Sequence, residues 1–263
     1  MKLEINTRLK DSKFNWIEKF YIKATIPKDA GMWVYDKKNK RWKEDQKINL
    51  DFEKSYKHVR PINDKTTIDI AIDGYPRQGN TSLRTVLLNI FPQVSISQAM
   101  THRVVLLEQA LEKEKTIISP IREPISAISS SVNQVIIELT KYQDDFFLNQ
   151  KVLNNLIFES LNFYIRHYKF ISKNHKKIII VRFKDITEMY QDLISGNINT
   201  NVLALYLKNL FNLYIEQSSL ISPIPSTKSE YILSKMSNKK FKKKVKKCKN
   251  LYNKTYKLSL DLK

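Results

Sequence analysis

The sequence predicts an α/β fold, a three-layer α/β/α sandwich around a mainly parallel sheet. Two observations carry this. Apolar, β-branched runs at 66–75, 116–121 and 176–183 read as buried strands. Each is followed by residues with apolar positions at helical spacing. Strands alternating with helices make βαβ units with right-handed crossovers, which place helices on both faces of the sheet. The single cysteine, Cys248, cannot form an internal bridge, so packing alone must hold the fold. The 42% hydrophobic content suffices for a core.

Residues 1–66 are mixed and basic. They read as an N-terminal extension or a small hairpin packed on the main domain, with WVYDKKNKRWKED forming two short strands about a turn at 36–39. The core spans 67–220. Its clearest strand is 66–75, where Ile68, Ile70 and Ile72 alternate. PRQGN then turns the chain into a helix whose apolar face is Leu83, Val86, Leu87 and Ile90, stopped by Pro92. A second amphipathic helix covers 102–115. The strand at 116–121 leads into a helix with Pro124 near its first turn. Residues 146–173 form a long helix with Leu153, Leu156, Ile157, Ser160, Leu161 and Tyr164 on one side. After the strand at 176–183, Asp185 is expected to cap the next helix, and 199–211 is a further helix. The remainder, 221–263, is a lysine-rich loop and helix packed on the core. Its KKFKKKVKKCK run suits a solvated face, a helix touching the core or an anionic contact.

The formal net charge is +20, which favours polyanionic or phosphorylated partners: nucleic acid, anionic glycan, anionic membrane or a nucleotide. Much of the excess is lysine beside abundant Asn and Ile, so biased composition accounts for part of it. The N-terminus lacks the apolar stretch of a signal peptide, and no apolar run is long enough to span a membrane. A cytoplasmic, soluble protein is the expectation.

The segment GYPRQGNTS joins strand to helix. Gly74 and Gly79 stand five apart, as in a P-loop, but Asn80 occupies the place of the P-loop lysine. Such a turn aims backbone N–H groups and the positive helix end at one point. Arg77 supplies a forked positive charge inside the loop. Thr81 and Ser82 supply hydroxyls. An NTP hydrolase needs the missing lysine on its β- and γ-phosphates, so the pattern points to a variant whose cation precedes the second glycine. At the second candidate site, Arg122 ends the strand at 116–121, and ligands of open α/β sheets gather at such carboxyl ends. Arg122 is therefore expected on the same rim as Arg77.

Together these two stretches resemble the sulfotransferase family that uses 3′-phosphoadenosine 5′-phosphosulfate. That family's first loop runs Pro, Lys or Arg, Ser or Thr, Gly, two more Ser or Thr, any residue, then Leu. This chain has Pro76, Arg77, Gln78, Gly79, Asn80, Thr81, Ser82 and Leu83. The second motif is an arginine at a strand end, a proline two residues on and a serine eight residues on, met by Arg122, Pro124 and Ser130. The resemblance implies that residues 76–82 bind the 5′-phosphosulfate, and that Arg122 and Ser130 bind the 3′-phosphate. Cytosolic members carry a base in a Lys, Ser or Thr, His segment about 20 residues before that arginine. Here Met100, Thr101 and His102 stand there, which makes His102 the expected base, with Glu108 as the fallback. Lys228, in PSTKS before the last helix, is a further nucleotide-binding candidate by the same resemblance. The implied activity is transfer of a sulfuryl group from that donor to a hydroxyl or amine of an acceptor, a carbohydrate or small molecule being favoured. No metal is expected.

Other residues read as structural. His58, His167 and His175 lack metal-ligand spacing. Asp144 and Asp145 read as helix caps, Tyr164, Tyr168 and Phe170 as core, Trp33 and Trp42 as hairpin packing, and the VRFKDI segment as a strand end. Two alternatives stay open. A P-loop nucleoside or nucleotide kinase would share the strand–loop–helix but need Mg²⁺ and a strand-end acid. A non-enzymatic polyanion binder would rest on the lysine tail, although nucleic acid is not the expected partner.

Overall fold

The computed structural model describes residues 34–36, 41–43, 56–58, 68–99, 102, 104–140, 150–216 and 230–260. Strands β1 (Val34–Asp36) and β2 (Arg41–Lys43) pair antiparallel, with Asp36 opposite Arg41. The turn residues after Asp36, and the packing of Trp33 and Trp42, lie outside the described residues.

The main sheet has the order β3 (Tyr56–His58), β5 (Val94–Ala99), β4 (Ile68–Ile72), β6 (Thr116–Ile121), β7 (Ile178–Arg182). The last four are mutually parallel, and β3 runs antiparallel at the edge of β5. Two of these strands were not anticipated. β3 comes from the stretch assigned to the N-terminal extension. In β5, Val94 and Ile96 alternate with Ser95 and Ser97, and all four are buried. The small serines fill one face without the apolar run that marks a strand buried on both sides.

Alternation along the strands sends side chains to two separate cores. On one face Ile70, Ile72, Ile96, Ile118 and Val181 meet α1 (Asn80–Ile90), α5 (Phe183–Ile194) and α6 (Val202–Phe211). On the other, Ala71, Ile117, Ile121, Ile178 and Ile180 meet α2 (Val104–Glu112), α3 (Pro124–Thr140), α4 (Gln150–Lys173), α7 (Glu230–Met236) and α8 (Lys239–Tyr256). The result is a parallel-sheet α/β protein with helices on both faces, consistent with a three-layer sandwich.

Asp185 does not cap α5. The helix begins two residues earlier with Arg182 at the N-cap, and the Asp185 carboxylate sits in the first turn, 2.7 Å from Arg182 Nε. The lysine-rich helix α8 packs on α4 through buried Phe241, Cys248 and Thr255, while most of its lysines point to solvent. Ser172 and Thr255 hydroxyls meet at 2.6 Å in this interface. Burial pushes the Cys248 thiol up to about 12 despite Lys244 and Lys247 nearby, so the lysines do not make it a reactive thiolate. Past α8, the Leu260 N–H donates to Ile180 O and so occupies the outer edge of β7. No described helix is long and apolar enough to cross a membrane.

His167 on α4 is fully buried, edge-on to Phe163 at 5.2 Å and Tyr75 at 6.4 Å between ring centroids. Among the described residues neither ring nitrogen has a hydrogen-bond partner. Burial, with smaller effects of His102 and Arg166, lowers its pKa from 6.5 to about 3. Below pH 6.5 the unfolded chain takes up a proton that the folded chain does not. Stability should therefore fall as the pH drops from 6.5 towards 3, approaching ~1.4 kcal/mol per pH unit from this residue. Urea unfolding of wild type and His167→Phe at pH 7 and 4.5 checks this. The variant should lose less stability between the two, and equal losses would contradict the assignment.

Candidate functional site

The carboxyl ends of β4, β6 and β7 deliver three stretches to one rim. β4 hands over to the turn at 73–79 and then α1. Gly74 is required by crowding, because a Cβ there would lie 3.0 Å from Pro120 O, 3.2 Å from Gln78 Oε1 and 3.3 Å from Asn80 Oδ1. Gly79 is required by conformation: its φ is +95°, and an added Cβ would reach 2.9 Å from the Phe183 ring. Arg77, with φ 65°, also adopts a left-handed conformation, which costs a residue with a side chain about 1–2 kcal/mol. Helix α1 starts without a side-chain cap, and its first completed turn is Leu83 N to Gly79 O at 2.8 Å. The amides of Asn80, Thr81 and Ser82 thus have no partner within the helix and point outward from its positive end.

β6 ends at Ile121, whose register partner is Arg182 of β7, so Arg122 and Phe183 emerge side by side. The Arg122 guanidinium lies 4.2 Å over the Phe183 ring. Its Nη1 donates to Arg77 O at 2.9 Å and its Nη2 to Ser126 Oγ at 2.8 Å. Arg77 Nε donates in turn to Ser130 Oγ at 3.3 Å. The start of α3 is fixed by Glu123, whose Oε2 accepts from Ser126 N at 2.8 Å, with Pro124 as first helical residue. Two tyrosines of α4 fix the Arg122 backbone. Tyr164 donates to Arg122 O at 2.7 Å. Tyr168 donates to Arg122 O at 3.0 Å and accepts from Arg122 N at 2.8 Å and Gln78 Nε2 at 2.7 Å. That uses the one proton and both lone pairs of its hydroxyl. Burial raises the pKa of both phenols, so they stay neutral.

Two positive groups thus meet, with the Glu123 carboxylate close enough to act on Arg122 but not paired to it. Burial lowers the Arg122 pKa, and the nearby Arg77 charge lowers it further. Among the described residues, neither guanidinium forms an ion pair with a carboxylate. A half-buried cation pair of this kind is stabilised by a bound anion.

Arg77, Gly79, Arg122 and Ser130 thus lie together on one rim, with Thr81 and Ser82 on the outward side of α1. Pro76 is buried and, lacking an N–H, offers no donor. The side chains of Gln78 and Asn80 turn inward, Gln78 to Tyr168 and Asn80 Nδ2 to Tyr75 O at 3.2 Å. This leaves their backbone amides as the groups they can offer at the start of α1. His102 does approach the loop, with Nδ1 3.3 Å from Asp73 Oδ1 and 3.5 Å from Asn80 Nδ2. It too has a left-handed φ, 53°. Glu108 is exposed on α2. Lys228, Asp144 and Asp145 lie outside the described residues.

Sequence reasoning missed the part played by four residues. Phe183, read as part of a structural strand end, is the platform under Arg122 and the wall against Gly79. Tyr164 and Tyr168, read as core, are buried as expected but also hold Arg122. Their signal was a buried hydroxyl pair four residues apart, which needs partners. Asp73, which the sequence offers only as a poor candidate for a metal-binding acid, is a fully buried carboxylate directly after β4. Among the described residues, no group of three or more His, Cys, Asp or Glu side chains could hold a metal ion. No protein-family model, no curated protein and no solved structure matches the chain.

Proposed function

We propose that this chain is a sulfotransferase on a P-loop-like fold, moving a sulfuryl group from 3′-phosphoadenosine 5′-phosphosulfate to a hydroxyl or amine acceptor, a carbohydrate or small molecule. The observation that carries the reading is the meeting of Arg77 with Arg122 and Ser130. Two stretches 45 residues apart join through the 2.9 Å bond from Arg122 to Arg77 O, with no described carboxylate paired to either cation. A ligand with two phosphate groups satisfies such a site.

In this reading the 5′-phosphosulfate lies on the α1 amides and Arg77, and the 3′-phosphate on Arg122 and Ser130. Lys228 is a further candidate for the nucleotide. The acceptor oxygen attacks sulfur, the bond from sulfur to the bridging phosphate oxygen breaks, and the proton passes to His102. Charge building on the leaving phosphate meets preformed donors, an electrostatic effect that needs no reorganisation. Asn80 in place of the P-loop lysine, with its side chain tied to Tyr75 O, argues against a phosphoryl-transferring P-loop enzyme.

Calorimetric titration with 3′-phosphoadenosine 5′-phosphate tests the reading. Micromolar binding without a divalent ion is expected. Binding of ATP in the presence of Mg²⁺, with none of the bisphosphate, would replace this reading by a kinase.

A further inference from the structure

We propose that Asp73 is a positioning residue that holds His102 in the tautomer protonated at Nδ1, leaving Nε2 as the atom that receives the acceptor's proton. The assignment of a catalytic role to His102 rests on the sulfotransferase reading, whereas the tautomer can be read independently.

Asp73 leaves the carboxyl end of β4, fully buried, and Gly74 N donates to its Oδ1 at 2.8 Å. His102 Nδ1 stands 3.3 Å from the same oxygen, and the imidazole is 13% exposed. The two residues come from different stretches: β5 lies beside β4 in the sheet and carries the chain back to this rim. An ionised carboxylate only accepts hydrogen bonds. A lone pair on Nδ1 facing Oδ1 would be repelled, so Nδ1 carries the proton. Asn80 Nδ2 also lies near Nδ1, at 3.5 Å, as a competing donor, but one of its N–H groups goes to Tyr75 O, and the shorter 3.3 Å contact to a carboxylate oxygen is the stronger, charge-assisted one. With Nδ1 facing the buried carboxylate, Nε2 is at the opposite edge of the ring. The left-handed backbone at His102 costs free energy, and such strain is retained where a side chain must be held in place.

The chemistry balances without another reactant. The acceptor O–H proton goes to Nε2, the acceptor oxygen bonds to sulfur, and 3′-phosphoadenosine 5′-phosphate leaves with the electron pair of the broken S–O bond. Asp73 stays a carboxylate and stabilises the imidazolium that forms.

The test is two-dimensional ¹H–¹⁵N spectroscopy of the ¹⁵N-histidine-labelled full chain. His102 is assigned by the signal lost in His102→Gln, and spectra are taken where the ring is neutral. The expected spectrum has a protonated Nδ1 and an unprotonated Nε2. In Asp73→Asn the population should move towards the other tautomer. In turnover assays with the sulfuryl donor, kcat should fall by about 10-fold or more, while affinity for the bisphosphate product stays within about twofold of wild type. A wild-type His102 protonated at Nε2 overturns the proposal, and this readout stands even if Asp73→Asn fails to fold. An unchanged tautomer in a folded Asp73→Asn also overturns it. An Nδ1–H ring in a chain that binds no 3′-phosphoadenosine 5′-phosphate would support the positioning pair and remove the sulfuryl chemistry.

Discussion

Arg122→Ala weakens binding of 3′-phosphoadenosine 5′-phosphate by about 100-fold or more. Removing one partner of a desolvated, hydrogen-bonded charge contact costs about 2–5 kcal/mol, and each 1.4 kcal/mol is tenfold in affinity. The loss has two sources. The 3′-phosphate loses its fork, and the Arg77 carbonyl loses its 2.9 Å donor, which loosens the loop itself. Arg122→Lys separates them. It keeps a charge over Phe183 but cannot donate to Arg77 O, Ser126 Oγ and a phosphate together. Its affinity should fall between wild type and Arg122→Ala. Calorimetry on variants that melt as wild type does checks this, and an Arg122→Ala chain binding within threefold of wild type would contradict it.

Gly79→Ala should cost about 2–5 kcal/mol of stability and abolish measurable nucleotide binding. The left-handed backbone at φ +95° accounts for about 1–2 kcal/mol once a Cβ is present. The rest is overpacking: the new methyl would lie 2.9 Å from a ring that supports Arg122, so the ring cannot retreat without moving the guanidinium. In a domain of this size the melting temperature should drop by roughly 5–15 °C. Adding Phe183→Leu to Gly79→Ala should recover the overpacking part and leave the backbone part. Thermal unfolding of both reads the difference. A Gly79→Ala chain that melts with wild type would show that neither strain nor crowding acts there.

How far the sequence reveals this site depends on whether each feature is local. The alternation of Ile68, Ile70 and Ile72, the glycines at 74 and 79 and the apolar face of α1 all lie in one short stretch, so strand, turn and helix are legible together. Arg122 at a strand end followed by Pro124 is equally local, and parallel-sheet topology alone places it beside the loop. The relation of His102 to Asp73 is not local. It depends on β5, whose buried serines conceal it, and on β5 lying beside β4. The inward turn of Gln78 and Asn80 follows from the left-handed geometry at Arg77 and Gly79, which residue types do not reveal. Phe183 was legible only as part of a strand end, and Tyr168 only as core. What they support became visible when their hydrogen bonds and ring contacts were traced. The lysine-rich helix α8 shows the converse: its charge dominates the sequence, yet Phe241, Cys248 and Thr255 determine where it packs.

The central claim is that two separate stretches grip the two phosphate ends of one nucleotide. The most direct measurement compares calorimetric affinities for 3′-phosphoadenosine 5′-phosphate and adenosine 5′-monophosphate, which differ only in the 3′-phosphate. Wild type should prefer the bisphosphate by about 100-fold, and Arg122→Ala should bind the two alike. Equal affinities in the wild-type chain, or a preference that survives in Arg122→Ala, would contradict the account.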